Sequence, residues 1–129
     1  MAGCFDGFNA TVIAYGQTGA GKTHTMGTGF EMDVAAAHEG MIPRALRQIF
    51  DGIEQRVAEA EAGKLMKPEF NVSVQFMEIY NEEIIDLLNN GQQRKIRVHE
   101  DQFGNIIADG LVDAKSTSFE QTMKLLQSG

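Results

Sequence analysis

Gly16-Gln17-Thr18-Gly19-Ala20-Gly21-Lys22-Thr23 spells G-x-x-x-x-G-K-T, the phosphate-binding P-loop pattern. Three glycines let the backbone curl until successive N–H groups face an anion. Lys22 can reach β- and γ-phosphates, and the Thr23 hydroxyl can ligate Mg²⁺. A helix opening at the end of the loop adds its positive N-terminal dipole. Thr11-Val12-Ile13-Ala14-Tyr15 runs into the loop and, being β-branched and aromatic, reads as a buried strand. Thr23-His24-Thr25-Met26 opens a helix that Gly27-Thr28-Gly29 ends. Strand, loop and helix in this order are the context the motif requires.

The chain has 129 residues, enough for one domain with a modest core. Its net charge is −7, from 11 Lys and Arg against 18 Asp and Glu. Nucleic-acid binding usually leaves a basic footprint, so none is expected here. The single cysteine, Cys4, forbids an intrachain disulfide and reads as a small buried or half-buried apolar residue. No run approaches the roughly 18 apolar residues of a membrane span. The first residues lack a basic region followed by a long apolar one, so no secretory leader or membrane role is expected.

Met1 to Asn9 reads as a turn before the first strand, and Thr28 to Glu39 as a long, partly acidic loop. From Met41 to Ala62, Ile42, Leu46, Ile49, Phe50, Ile53 and Val57 make one apolar stripe at helical spacing. Arg44, Arg47, Gln48, Glu54 and Arg56 lie off it; Pro43 suits a first turn and Gly63 a stop. Phe70, Val72, Val74 and Phe76 alternate with polar residues as a strand with one buried face. Asn81 is expected to cap a short helix over Glu82–Leu88, followed by a turn at Asn89-Asn90-Gly91. Ile96 and Val98, then Ile106 to Ala108, read as a hairpin turned at Gly104-Asn105. Ser118 and Gln121 have capping-box spacing and open a last helix with Phe119, Met123 and Leu126 on one face.

Nucleotide hydrolysis needs an acidic residue on the Mg²⁺ side and a group that orients water. Asp109 superficially ends such a strand, but its run is short and belongs to the hairpin. The carboxylates between Glu78 and Asp86 read as solvated helix faces. His38 and His99 read as surface residues. His24 has two readings: an imidazole near the base or ribose of a nucleotide, or a first-turn residue facing solvent. A small nucleotide kinase would need an Arg-rich lid; Arg44, Arg47 and Arg56 instead share one helix.

The stretch from Gly7 to Gly27 closely resembles the P-loop region of kinesin motor domains, G-[YF]-N-[GA]-T-[VI]-[FL]-A-Y-G-Q-T-G-[SA]-G-K-T-[YH]-T-M-G, with Ile13 the unusual residue. Gly40-Met41-Ile42-Pro43-Arg44 is similar to the family's G-[IL]-I-P-R. Phe76 to Leu88 is similar to its S-[FY]-[LM]-E-[IV]-Y-N-E-x-[IV]-x-D-L-L, and Ile96 to Asp101 to its next strand. Within the family, the loop composition and Met26 to Phe30 look most like the chromokinesin-related class.

The resemblance implies an α/β P-loop NTPase fold of the kinesin-motor type, a central mixed sheet flanked by helices, only partly present. Residues 1–129 would be one partial motor domain: P-loop strand, P-loop helix with inserted loop, second long strand, hairpin and following helix. It implies ATP and Mg²⁺ as ligands, with Gly16, Gln17, Thr18, Gly19, Ala20, Gly21, Lys22 and Thr23 around the phosphates. Thr23 would hold Mg²⁺ and His24 would lie beside the adenine. Microtubules are the implied partner and the cytoplasmic cytoskeleton the implied location, with dimerisation through stalk segments not in this sequence. The hairpin at His99 to Gly104 resembles one that faces tubulin, with Lys95 and Arg97 as nearby cations.

Kinesin motor domains are about two and a half times longer. Their Arg-x-Arg-Pro adenine clamp and their switches, N-x-x-S-S-R-S-H and D-L-A-G-S-E, have no match here. The chain is therefore expected to be part of a motor domain, with no catalytic residue of its own and little hydrolysis in isolation. The alternative is a non-motile nucleotide-binding or interaction piece with a vestigial P-loop. Bare sheet edges and marginal stability are expected in either case.

Overall fold

The computed structural model describes residues 2–27, 39–89, 92 and 95–128. The chain divides into two compact units, Met1–Phe70 and Asn71–Gly129.

The first unit carries helices α1 (Ala2–Phe5), α2 (Lys22–Met26) and α3 (Met41–Ala62). The apolar stripe places α3 where it forms, and its end falls at Gly63, whose N–H bonds the Glu59 carbonyl at 2.9 Å. Phe50 and Ala60 are buried, and Ile42, Leu46, Ile49, Ile53 and Val57 half-buried. Phe5 packs onto α3 where Gly52 leaves room: a Cβ there would lie 2.7 Å from the ring. Phe70 meets Phe5 edge-on at 6.3 Å, and the Arg56 guanidinium lies 3.8 Å from its centroid. Arg56 is thus half-buried, drawn in by the negative face of the ring. Two expectations fail at this end. Residues 2–5 are helical rather than a turn, and Cys4 is exposed, because Phe5 fills the notch.

Helix α2 runs between two left-handed glycines, Gly21 (φ 85°) and Gly27 (φ 79°). Gly27 rests directly on Gly40, the residue before α3. A Cβ on Gly40 would come within 2.2 Å of the Gly27 N and Cα atoms, and one on Gly27 within 3.0 Å of the Pro43 ring. Pro43 sits in the first turn of α3, where a missing N–H costs no helical bond. The expected loop from Thr28 lies outside the described residues as far as His38; Glu39 pairs with Arg47 at 2.7 Å.

The strand expected over Thr11–Tyr15 does not form. Residues 8–16 have no regular structure, with Ile13 81% and Tyr15 99% exposed. A buried strand needs neighbours to take its N–H and C=O groups, and no described segment pairs with it.

The second unit holds strands β1 (Val72–Val74), β2 (Met77–Tyr80), β3 (Glu83–Asp86), β4 (Arg97–Glu100), β5 (Ile106–Asp109) and β6 (Ala114–Ser116), then α4 (Phe119–Ser128). They form three antiparallel pairs, β1 with β6, β2 with β3 and β4 with β5. The α/β class and partial fold stand as expected. Among the described residues the strands remain in these pairs, each with open edges, rather than in one central mixed sheet. The long strand read over Phe70–Phe76 is ordered only at Val72–Val74.

The short helix expected over Glu82–Leu88 is instead a hairpin arm. Tyr80 pairs with Glu83, leaving Asn81 (φ 49°) and Glu82 (φ 64°) as a two-residue turn. Positive φ at both central positions is the type I′ requirement, and Asn tolerates it well. Asp86 is not a solvated carboxylate either: its Oδ1 accepts from the Leu88 N–H at 2.9 Å and its Oδ2 from the Val112 N–H at 2.7 Å. It thereby ties β3 to the chain that enters β6. Asn90 and Gly91 of the expected turn lie outside the described residues.

The β4–β5 hairpin forms as read, with His99 opposite Ile107. Its tip is held by Asp101, which accepts from the Phe103 and Asn105 backbone N–H groups and the Asn105 side chain, each at 2.8 Å. Helix α4 begins at the capping pair: Ser118 Oγ accepts the Gln121 N–H at 3.1 Å, while Gln121 reaches back one residue further than expected, to the Thr117 N–H at 2.8 Å. Met123 and Leu126 are buried against β6 with Thr122, whose hydroxyl meets that of Ser116 at 2.7 Å.

Glu82→Gly is expected to raise the urea midpoint, by the equivalent of about 0.5–1 kcal/mol, because it relieves a non-glycine left-handed residue. A helix there would give the opposite sign. Asp86→Ala is expected to cost about 1–3 kcal/mol in the same assay, since it strands backbone N–H groups. The hydrogen bonds from Asn105 hold the Asp101 carboxyl below the ordinary value of 3.8. Its contribution is therefore complete above 3.8 and lost as pH falls through the lower folded value. The protection factors of the Phe103 and Asn105 amides, each exchange rate being referred to its intrinsic rate at the same pH, are expected to hold from pH 7 to 5 and to fall only below pH 3.8.

Candidate functional site

The loop Gly16–Thr23 is shaped by backbone conformation and by one ammonium. Gly16, Gly19 and Gly21 have φ values of 155°, 82° and 85°. The Ala20 N–H bonds the Gln17 carbonyl at 3.2 Å, closing the central turn, and the Thr25 N–H bonds Gly21 O at 2.9 Å as α2 starts. A Cβ on Gly16 would press to 3.1 Å from the Ala20 methyl, so the loop needs glycine there to close.

Lys22 donates to the Gly16 carbonyl at 2.7 Å and to the Gln17 carbonyl at 2.8 Å. An ammonium has three donors, so two fasten the near end of the loop and one remains for an anion. Between Gly7 and Gly27 the sequence has no Asp or Glu, so Lys22 stands in a locally cationic stretch of an acidic chain. That is the field an anionic ligand would meet.

Thr23 and His24 follow on the exposed side of α2. The Thr23 carbonyl accepts the Gly27 N–H at 2.9 Å, closing the single helical turn. All eight motif positions and His24 are thus contiguous on one loop and one turn of helix. The Gly27–Gly40 contact joins this turn to α3, a feature the sequence reading missed. Its signal was the glycine before Met41-Ile42-Pro43-Arg44, read only as part of the family resemblance.

Other candidates lie away from the loop in sequence. Asp109 is on β5 and 65% exposed, 3.5 Å from Nδ1 of His99, which is itself half-exposed. His99 is a surface residue, as read, with an acidic cross-strand neighbour. Arg44, Arg47 and Arg56 all lie on α3, Arg47 with Glu39 and Arg56 on Phe5. His38 lies outside the described residues. Among the described residues no group of three or more His, Cys, Asp and Glu could hold a metal ion, and no helix is long and apolar enough to cross a membrane.

Residues 1–129 match the family described as "Kinesin motor domain". The chain is 46% identical over 136 aligned positions to Kinesin-like protein KIF21B of Homo sapiens, covering 100% of this chain and 8% of that protein. It is 46% identical over 131 positions to Kinesin-like protein klp-12 of Caenorhabditis elegans, covering 98% and 8%. Among solved structures, that of a fast kinesin, whose title concerns ATPase mechanism and interactions with microtubules, superposes with a TM-score of 0.76 at 34% identity. It covers 94% of this chain and 31% of that one. The chain thus spans about 8% of the length of the curated relatives it matches. With its whole length inside the matched family and a preformed G-x-x-x-x-G-K-T loop, the chain belongs to the kinesin motor domain family.

Proposed function

We propose that residues 1–129 are one partial motor domain supplying the ATP-phosphate cradle of a microtubule-based motor. The observation that carries this reading is the loop itself, closed by Lys22 on the Gly16 and Gln17 carbonyls. Gly16, Gln17, Thr18, Gly19, Ala20, Gly21, Lys22 and Thr23 surround the β- and γ-phosphates, with backbone N–H groups and the Lys22 ammonium as donors. His24, one residue on, lies beside the base. The donor set fits Mg²⁺: a hard cation takes oxygen ligands, here the Thr23 hydroxyl and the phosphates with which it arrives. When bound, Mg²⁺ neutralises phosphate charge. The chain's own residues bind and orient; they do not activate water.

The remainder follows from family membership and is part of the proposal. Microtubules are the partner and the cytoskeleton in the cytoplasm the location, with dimerisation through stalk segments. The class most like its motifs is the chromokinesin-related one. Turnover by the 129-residue chain alone is expected to be slight, because transition-state stabilisation in phosphoryl transfer is spread over the cradle, the metal ligands and the groups that orient water. Among these, the sequence carries the cradle and the Thr23 ligand.

Titration of the chain with a fluorescent ATP analogue and Mg²⁺ tests the reading. Saturable binding is expected, weakened about 10- to 100-fold by Lys22→Ala through loss of a charged hydrogen bond. Equal binding by the variant would favour a vestigial loop. Microtubules added to a chain extended through the two switch motifs are expected to raise ATP turnover, and no stimulation would count against a motor.

A further inference from the structure

We infer that Gly40, the residue before α3, and Pro43 in its first turn, both outside the P-loop motif, are positioning residues for the P-loop. Their role rests on the phosphate-cradle reading, but the contact that carries it does not. Gly27 ends α2, the single turn that bears Lys22, Thr23 and His24. Its backbone lies directly on the backbone of Gly40 and close to the Pro43 ring, all three half-buried or buried. No side chain separates the two helices here, so the position of α3 is passed to α2 through hard backbone atoms. Interiors transmit such strain because they are close-packed.

The geometry sets the size of the effect. A Cβ on Gly40 would stand 2.2 Å from Gly27 N and Cα, where ordinary contact begins at 3.4 Å. One helix must therefore retreat by roughly 1 Å, a displacement that at a reacting group can cost about 100-fold. Helix α2 is the smaller body: five residues, anchored by Lys22 at one end and Gly27 at the other. From Gly27 back to Lys22 is only about 7 Å along the axis, too short for the shift to fade.

Gly52 supplies the control. It is on α3 and is crowded by side chains instead of backbone: a Cβ there would lie 2.7 Å from the outer edge of the Phe5 ring and 3.5 Å from the Arg56 guanidinium. Both glycines should matter for stability, but only Gly40 should be felt in the loop.

The test compares Gly40→Ala, Pro43→Ala and Gly52→Ala in the nucleotide-free chain by amide NMR, well below each variant's unfolding temperature. Gly40→Ala is expected to move the Gly19 and Gly21 amide resonances, and to weaken a fluorescent ATP analogue about 10- to 100-fold. Pro43→Ala, which removes a contact instead of adding a clash, is expected to move the same resonances less, and it decides the matter if Gly40→Ala does not fold. Gly52→Ala is expected to lower thermal stability while leaving both loop amides and analogue affinity in place. Unmoved loop amides in Pro43→Ala and Gly40→Ala, or equal movement in Gly52→Ala, would overturn the inference. Failure of the unaltered chain to bind the analogue would instead count against the cradle reading, because the amide comparison needs no nucleotide.

Discussion

A glycine-rich loop has no side-chain packing to hold its shape, and here the Lys22 ammonium does that work. By bonding the Gly16 and Gln17 carbonyls it converts a flexible octapeptide into a closed ring with the charge at its centre. Hydrogen bonds from an ionised donor are roughly twice as strong as neutral ones. The carbonyls it neutralises are also those that would otherwise repel an anion. One residue thus sets the curvature of the loop and the sign of the field inside it. Elsewhere in the first unit, the Gly27–Gly40 contact meets the far end of α2, and the Phe5, Arg56 and Phe70 cluster packs on α3.

The second unit shows what backbone hydrogen bonding requires of an isolated stretch of chain. Two of its three strand pairs are hairpins closed locally, through the I′ turn at Asn81-Glu82 and the Asp101 tip. Only β1 and β6 meet over a long separation, and that pair carries the α4 cap and the buried Ser116–Thr122 hydroxyls. Local pairs cost little loop-closure entropy and form with what the chain contains. Thr11–Tyr15 has the residues of a strand but no pairing partner among the described residues, and it is irregular with its aromatic exposed.

This difference explains what the sequence made legible. The α3 boundaries, the β4–β5 hairpin and the Ser118 cap follow from period and capping chemistry, which are properties of one continuous stretch of chain. The P-loop was legible for the same reason, since its glycines and lysine interact within one turn of each other. Glu82–Leu88 misled because Ile84, Ile85, Leu87 and Leu88 fit a helical face as well as a strand, and Asn81 suits both a helix cap and a left-handed turn. The backbone bond from Leu87 N–H to Phe76 O, 2.9 Å long, decides for the hairpin, and no local pattern announces it. Asp86 was misread likewise: its partner, Val112, is 26 residues away. The Gly27–Gly40 contact was missed because a glycine's role as a gap for another backbone sets no period, and the glycine before Met41-Ile42-Pro43-Arg44 was its one trace.

On the proposed function, binding and catalysis separate along physical lines. The bonds from Ala20 to Gln17, Lys22 to Gly16 and Thr25 to Gly21, which shape the cradle, each span six residues or fewer. None involves Thr11–Tyr15, so the curl does not depend on that segment becoming a strand. Transition-state stabilisation is different, because charge develops at several oxygens at once and needs donors approaching from several directions. A single loop surrounds phosphates from one side only. A short stretch of sequence can encode the grip on an anion, whereas acceleration of its transfer requires distant segments to be brought to the same point by the sheet that Thr11–Tyr15 is composed to join.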